Sequence, residues 1–500
     1  MRPILANRLF VPEANVDSSM MAKFRHHWTK ITHEERVGDD GLVEVDANGK
    51  AIVDKKKEPI VIDGNRHILT GLGTDYIGLP RGSLKEIKQY LPNAIDIRSR
   101  AKLPFDLQVA EHVHEDGRWP DQERCVDSFC KKGSGIVLGQ TGAGKTVVGL
   151  GIVAQLNMQT LIMTTMKAGY KHWENDFREH SNINEVEKKL GRRLIGPYQH
   201  KESYPIAIST AQTFLHKNSY LRAIKEQNRF GLVIADEVHE LVTPEHVRVL
   251  TMWAPKHWLG LTATIDRSDH KEVLAYWHLG PVVAELKADQ MRPTVRFIET
   301  NFSVPSWMEG RTRYSRFGKW RKLLDMITVD EDRNDIITHN VMEDIDSGRF
   351  VAVIGERTAH FREIYRQLKQ NGYDVAYIDG KVRGPSREKY FEAMRKKKLK
   401  CICAGKVLRA LVNIKTLDCM HVISPMSGEG RIRQLFGRTR RPDDSKPTPL
   451  IRYYVDSGGQ LDGSYKKVRK VCQDEGWNIK YTNVAQSKII PMTKWGKGNK

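Results

Sequence analysis

Gly139-Gln-Thr-Gly-Ala-Gly-Lys145-Thr146 is the stretch from which the fold is read. It satisfies Gly-x-x-x-x-Gly-Lys-Thr at every fixed position, after an apolar run at 134–138 and before an apolar helical stretch, the setting a phosphate loop requires. Glycines let successive backbone N–H groups converge on phosphate oxygens, and the helix that follows adds the positive end of its dipole. Lys145 would reach the β and γ phosphates, and the Thr146 hydroxyl would take a magnesium ion. Gly139, Gln140, Thr141, Gly142, Ala143, Gly144, Lys145 and Thr146 are therefore the candidate nucleotide-binding residues, with ATP and Mg²⁺ as the expected cofactors.

Working outward, apolar strands are expected at 160–164, 204–209, 230–235 and 258–261, alternating with helical stretches. A second series follows at 350–355, 374–378, 400–404, 421–424 and 450–455, with a helix at 359–370. This rhythm predicts an α/β chain with two tandem parallel-sheet domains. Ahead of them, Asn48-Gly49 between two apolar runs predicts a hairpin at 41–54. A strand at 59–62, a loop at 78–82 and a helix at 84–91 complete a small β-containing α+β module. The expected boundaries are 1–110 for that accessory module, 111–290 for the first α/β domain and 291–335 for a basic, aromatic linker. The second α/β domain then takes 336–475, and a basic tail 476–500.

The run 230–235 ends in Asp236-Glu237-Val238-His239, which puts two acids at the carboxyl edge of the sheet. Asp236 is the candidate to hold Mg²⁺ through water, and Glu237 to position and activate the attacking water. Late in the second series comes Gln434-Leu-Phe-Gly-Arg438-Thr-Arg-Arg441. A transferring phosphoryl group needs its charge neutralised, and Arg438 and Arg441 are the candidate arginine fingers, supplied when two domains close.

The 81 Lys+Arg against 61 Asp+Glu leave a net charge of +20. Residues 1–290 are nearly balanced, whereas 291–500 carry 42 basic against 24 acidic side chains. A one-sided excess points to a phosphate-backbone partner there. Between the two strand series, Trp307, Tyr314, Phe317 and Trp320 interleave with arginines and lysines, a pattern open to base stacking or to a linker helix burying its rings. The six cysteines have no zinc-ligand spacing and read as structural. No stretch is apolar enough to span a membrane and no secretory leader is evident, so a cytoplasmic protein, in a host cytoplasm if viral, is expected.

Across residues 115–460 the sequence resembles a superfamily-two helicase of the DExH kind. The resemblance implies two RecA-like motor domains and assigns further residues. Gln122, in Trp-Pro-Asp-Gln-Glu123, resembles the adenine-reading glutamine. Lys167, Thr210, Arg357, Gly380 and Lys406 fall in motifs that meet the nucleic acid, while Thr262, Thr264 and Asn413 fall in motifs that couple hydrolysis to domain motion. Gln434 joins the catalytic set.

The sequence departs from the family at Thr165 and Ile265, where proline is usual, and at Gly405, Leu411 and Asn413, where threonine, glycine and aspartate are usual. The layout is most similar to bacteriophage recombination and repair helicases. It implies DNA, single-stranded and branched, as partner, with replication or recombination proteins as further partners and the front module recognising a duplex or junction. An RNA helicase and a non-unwinding, ATP-gated nucleic-acid-binding protein are the alternatives. The DEVH rather than DEAD sequence favours DNA.

Overall fold

The structure is a computed structural model. It describes residues 4–5, 9–12, 16–27, 29–32, 60–63, 76–79, 94–140, 142–198, 203–265, 271–287, 291–308, 316–382, 384–405, 414, 416–426, 428–440 and 446–483. The chain divides into two compact units, one holding the described residues up to 287 and the other those from 291. No described helix is long and apolar enough to cross a membrane.

In the amino-terminal part, β1 (Ile4–Leu5), β2 (Leu9–Pro12), β5 (Tyr76–Leu79) and β6 (Ile95–Asp96) form a sheet in the order β5-β2-β1-β6. β3 (Thr29–Thr32) and β4 (Ile60–Asp63) pair antiparallel beside it in sequence, and β4 matches the strand expected at 59–62. Gly78 and Leu79, expected in a loop, instead lie on β5 opposite Phe10 and Leu9. Leu79 is fully buried and joins an apolar cluster with Val11, which gives this segment a reason to extend. The hairpin expected at 41–54 and the helix at 84–91 lie outside the described residues.

The phosphate loop belongs to a seven-stranded parallel sheet. Its strands are β7 (Gly135–Gly139), β8 (Thr160–Thr164), β9 (Ile195–Pro197), β10 (Ile206–Thr210), β11 (Leu232–Asp236), β12 (His257–Thr262) and β13 (Val282–Leu286), in the order β13-β7-β12-β11-β8-β10-β9. The strands read as unbroken apolar runs because both faces are covered. Successive residues leave for opposite faces: Ile136, Leu161 and Val233 enter one apolar cluster, and Val137, Ile162 and Ile234 the other. Register brings the carboxyl ends of β7, β11 and β12 to one edge, with Asp236 opposite Leu261 and Thr262 opposite Leu138.

The second unit carries its own seven-stranded parallel sheet. β14 (Thr294–Ser303), β15 (Val351–Ile354), β16 (Val375–Ile378), β17 (Cys401–Ala404), β18 (Cys419–Val422), β19 (Leu450–Ser457) and β20 (Asn478–Thr482) run in the order β16-β17-β15-β18-β19-β14-β20. β14 falls within the stretch expected as a linker, and β20 within the expected tail. In β14 the buried Val295 and Phe297 alternate with the half-buried Thr294 and Arg296, a half-polar pattern that does not stand out as an apolar run. Of the basic aromatic stretch, the half-buried Trp320 packs on a cluster of Phe302, Leu323 and Ile327, while Trp307 is exposed. Tyr314 and the Phe317 side chain lie outside the described residues.

A buried polar network crosses this second unit. Arg452 donates from Nε and Nη2 to Asp344 at 2.7 and 2.8 Å, and His421 Nε2 lies 2.8 Å from the same carboxylate. Burial pushes the Asp344 carboxyl up, but hydrogen bonds and charge from His421 and Arg452 outweigh it and hold the group well below the usual carboxylate range. Asp344, Cys419 and His421 bring three potential ligand atoms within 4.8 Å of one another. The guanidinium of Arg452 already supplies the cation there, so the cluster is an ion pair within the core rather than a metal centre.

Candidate nucleotide site

The sheet edge of the first unit assembles the site. Gly142 and Gly144 adopt φ of +87° and +92°, left-handed values that wrap the loop back over the end of β7. At Gly144 a Cβ would come within 2.2 Å of Gln122 Nε2, so the loop and this side chain are packed without space for any larger residue. Gln122 is 2% exposed and donates to the Ala143 carbonyl at 3.3 Å. The structure therefore shows the expected adenine reader bracing the loop backbone. Lys145 Nζ folds onto the loop itself, 2.7 Å from the Gly139 carbonyl and 3.4 Å from that of Gln140. Thr141 lies outside the described residues.

β11 ends at Asp236, and Glu237 follows with φ +52° and ψ +52°, a left-handed conformation that costs a non-glycine residue about 1–2 kcal/mol. Such strain is typical of functional positions. Here it turns the chain at once from strand to helix and leaves both acids at the edge. The Asp236 carboxyl is pushed up to about 6, chiefly by burial and then by the neighbouring Glu237 charge, against a hydrogen bond from Trp173 and the charge of Lys145. A hydroxyl and a carboxylate are the oxygen donors that a hard divalent cation takes, so Thr146 and Asp236 fit Mg²⁺.

Polar contacts lead from the turn after β11, which bears Glu237, to the next strand. Glu237 Oε2 lies 3.3 Å from His239 Nδ1, which lies 2.7 Å from Thr262 Oγ1. Thr262 gives its own proton to the Thr264 carbonyl at 2.6 Å and accepts from the Thr264 N–H at 3.3 Å. The hydroxyl proton being committed, His239 must carry its proton on Nδ1 and donate to Thr262. Thr262 and Thr264, expected as coupling residues, thus connect with the acid pair.

Three side chains of the helix Lys167–His180 also reach this site, none of them among the candidate residues named from the sequence. Trp173 Nε1 donates to Asp236 Oδ2 at 3.0 Å, and His172 Nε2 lies 3.4 Å from Thr146 Oγ1. Asp176 lies beyond His172, and burial raises its carboxyl above the usual range. The signal in the sequence was weak: a His and an Asp four residues apart after an apolar strand.

The other expected residues are more scattered. Thr210 ends β10 and shares a hydrogen bond with Thr213 at 2.9 Å. Lys167 begins its helix; its side chain lies outside the described residues. In the second unit, Gly380 follows β16 with open space around it, and Arg357 follows β15, held by Asp325 at 2.9 Å and the Arg321 carbonyl at 3.2 Å. Gln434 lies on the helix Glu429–Phe436, and Arg438 is buried in the turn after it. Arg433 and Arg440 are engaged within the unit, Arg433 with Glu429 and Glu475, and Arg440 over the Trp477 ring at 5.1 Å. Lys406, Asn413 and Arg441 lie outside the described residues, as does Leu411. Gly405 has a visible reason for lacking a side chain: a Cβ there would come within 2.7 Å of the Phe361 ring.

Two all-parallel sheets, the first ending in a phosphate loop and an acid pair at one carboxyl edge, define a RecA-like nucleotide-hydrolysing motor. Residues 118–267 match the family described as type III restriction enzyme, res subunit, and residues 319–443 match the helicase conserved C-terminal domain. The chain is 25% identical over 436 residues to "Probable helicase D10" of Escherichia phage T5, covering 85% of this chain and 88% of that protein. It is 34% identical over 383 residues to "DNA 3'-5' helicase XPB" of Mycobacterium tuberculosis, covering 72% of this chain and 64% of that protein. In fold it is similar to a fragment of an HsdR subunit of a type I restriction enzyme from Vibrio vulnificus, with a TM-score of 0.52 and 14% identity over 75% of this chain and 69% of that one. The chain belongs to the superfamily-two helicases, which are ATP-dependent enzymes.

Proposed function

We propose that the protein is an ATP-driven DNA helicase or translocase that unwinds or remodels branched DNA, such as recombination, repair or replication intermediates. The observation that carries the motor reading is the shared edge of β7, β11 and β12, where Lys145, Asp236, Glu237 and Thr262 come together. Glu237 positions the attacking water and takes its proton, and Lys145 neutralises phosphate charge. Thr146 and Asp236 hold Mg²⁺, which when bound offsets the charge of the β and γ phosphates. Gln434, Arg438 and Arg441 complete the catalytic set from the second domain.

DNA as the partner is supported by the similarity to the XPB relative, named a DNA 3'-5' helicase, and by the basic excess in residues 291–500. Lys167, Thr210, Arg357, Gly380 and Lys406 meet the strand, Asn413 takes part in coupling, and the amino-terminal module recognises a duplex or junction. Backbone contacts of this kind release counterions, so affinity falls steeply as salt rises. The test is strand displacement on forked and four-way-junction DNA with ATP. Displacement supports the reading, and ATP hydrolysis without displacement or branch movement on any DNA opposes it.

A further inference from the structure

The helix Lys167–His180 presents His172, Trp173 and Asp176 to the groups assigned to magnesium. The Trp173 ring is fully buried against the phosphate-loop helix, where Gly149 leaves it room: a Cβ at Gly149 would come within 2.6 Å of Cη2. From that seat its N–H reaches Asp236 Oδ2 at 3.0 Å. One oxygen of the carboxylate is thereby committed and Oδ1 is left for the water shell of a cation.

Thr146 presents the complementary problem. A hydroxyl that gives a lone pair to a divalent cation must send its proton to an acceptor. His172 Nε2 lies 3.4 Å from Thr146 Oγ1, and His172 Nδ1 lies 3.4 Å from Asp176 Oδ1. The Asp176 carboxylate also faces the Thr146 hydroxyl, and with the ring proton on Nδ1 the His172 Nε2 is a second acceptor for that proton. A histidine and a carboxylate thus stand together behind the hydroxyl assigned as a metal ligand.

We infer that His172, Trp173 and Asp176 are positioning residues for the divalent cation of the nucleotide site, His172 and Asp176 by orienting the Thr146 hydroxyl and Trp173 by fixing the Asp236 carboxylate. The inference rests on the assignment of Thr146 and Asp236 as the magnesium-holding groups.

The test is binding of a fluorescent ATP analogue to the full chain, titrated with and without Mg²⁺, so that the tightening due to magnesium is measured apart from turnover. Trp173→Phe keeps a ring against Gly149 and removes only the donor; His172→Ala removes the acceptor, and His172→Gln returns a polar group. Magnesium-free affinity should be unchanged in all three. The gain from magnesium should fall about tenfold in Trp173→Phe and His172→Ala and recover in His172→Gln. Asp236→Asn is the reference: if it keeps the full gain, the underlying assignment is wrong. If it loses the gain while Trp173→Phe and His172→Ala both keep it, the assignment stands and the inference is overturned.

Discussion

His239 Nδ1 donates to Thr262 Oγ1 at 2.7 Å, joining the turn after β11 to the end of β12. Glu237 Oε2 faces the same nitrogen at 3.3 Å, and Thr262 in turn holds the Thr264 backbone. The turn that carries Glu237 is thus tied through His239 to the segment expected to couple hydrolysis to domain motion.

Thr262→Val keeps the shape of the side chain and deletes both the acceptor for His239 and the donor to Thr264. Losing one such bond is worth about 1 kcal/mol, so strand displacement should fall several-fold to about tenfold while ATP hydrolysis changes much less. Parallel ATPase and displacement assays check it. An equal fall in both would show that Thr262 serves hydrolysis rather than coupling.

Lys145→Ala removes the only ammonium that lies on the loop carbonyls of Gly139 and Gln140 among the described contacts. A charge-assisted contact to phosphate is worth about 1.5–3 kcal/mol, so nucleotide affinity should fall roughly 10- to 100-fold. Equilibrium titration with a fluorescent nucleotide reads this directly.

Arg452→Met leaves Asp344 buried without its guanidinium partner, and the second unit should lose about 3–5 kcal/mol of stability. Urea unfolding measures it. Arg452→Met combined with Asp344→Leu should recover much of the loss, since no unpaired charge then remains; no recovery would show that packing, not charge, sets the cost.

Asp418 is buried, and burial pushes its carboxyl from 3.8 up to about 6 in spite of Arg349 at 3.5 Å. An acid whose folded value is raised makes the folded state bind more protons, so its contribution to stability falls as pH rises from about 4 to about 6. Asp418→Asn should therefore be more stable than the parent at pH 7, with the advantage vanishing near pH 4. Thermal melts across that range check the sign.

Much of the motor was legible because its chemistry is local. Gly139 to Thr146 and Asp236-Glu237 each carry their meaning in adjacent residues, and unbroken apolar runs such as 232–235 mark central parallel strands. What was not legible depended on contacts distant in sequence. β14 has a half-polar pattern and is defined by β19 and β20, whose paired residues lie more than 150 positions downstream. Gly78 and Leu79 looked like a loop because the partner strand, Leu9–Pro12, lies far upstream. His172 and Asp176 gain meaning only when the helix that bears them packs beside Thr146, and the absence of a side chain at Gly405 only when Phe361 is seen above it.

The most direct test of the central claim is the steady-state ATPase rate of the parent and of Glu237→Gln, measured alone and with single-stranded, forked and duplex DNA and with RNA. DNA should stimulate the parent, most strongly with single-stranded or forked substrates, while Glu237→Gln should still bind ATP and hydrolyse it at least about 100-fold more slowly. Parental turnover in Glu237→Gln, or stimulation by RNA alone, would contradict the account.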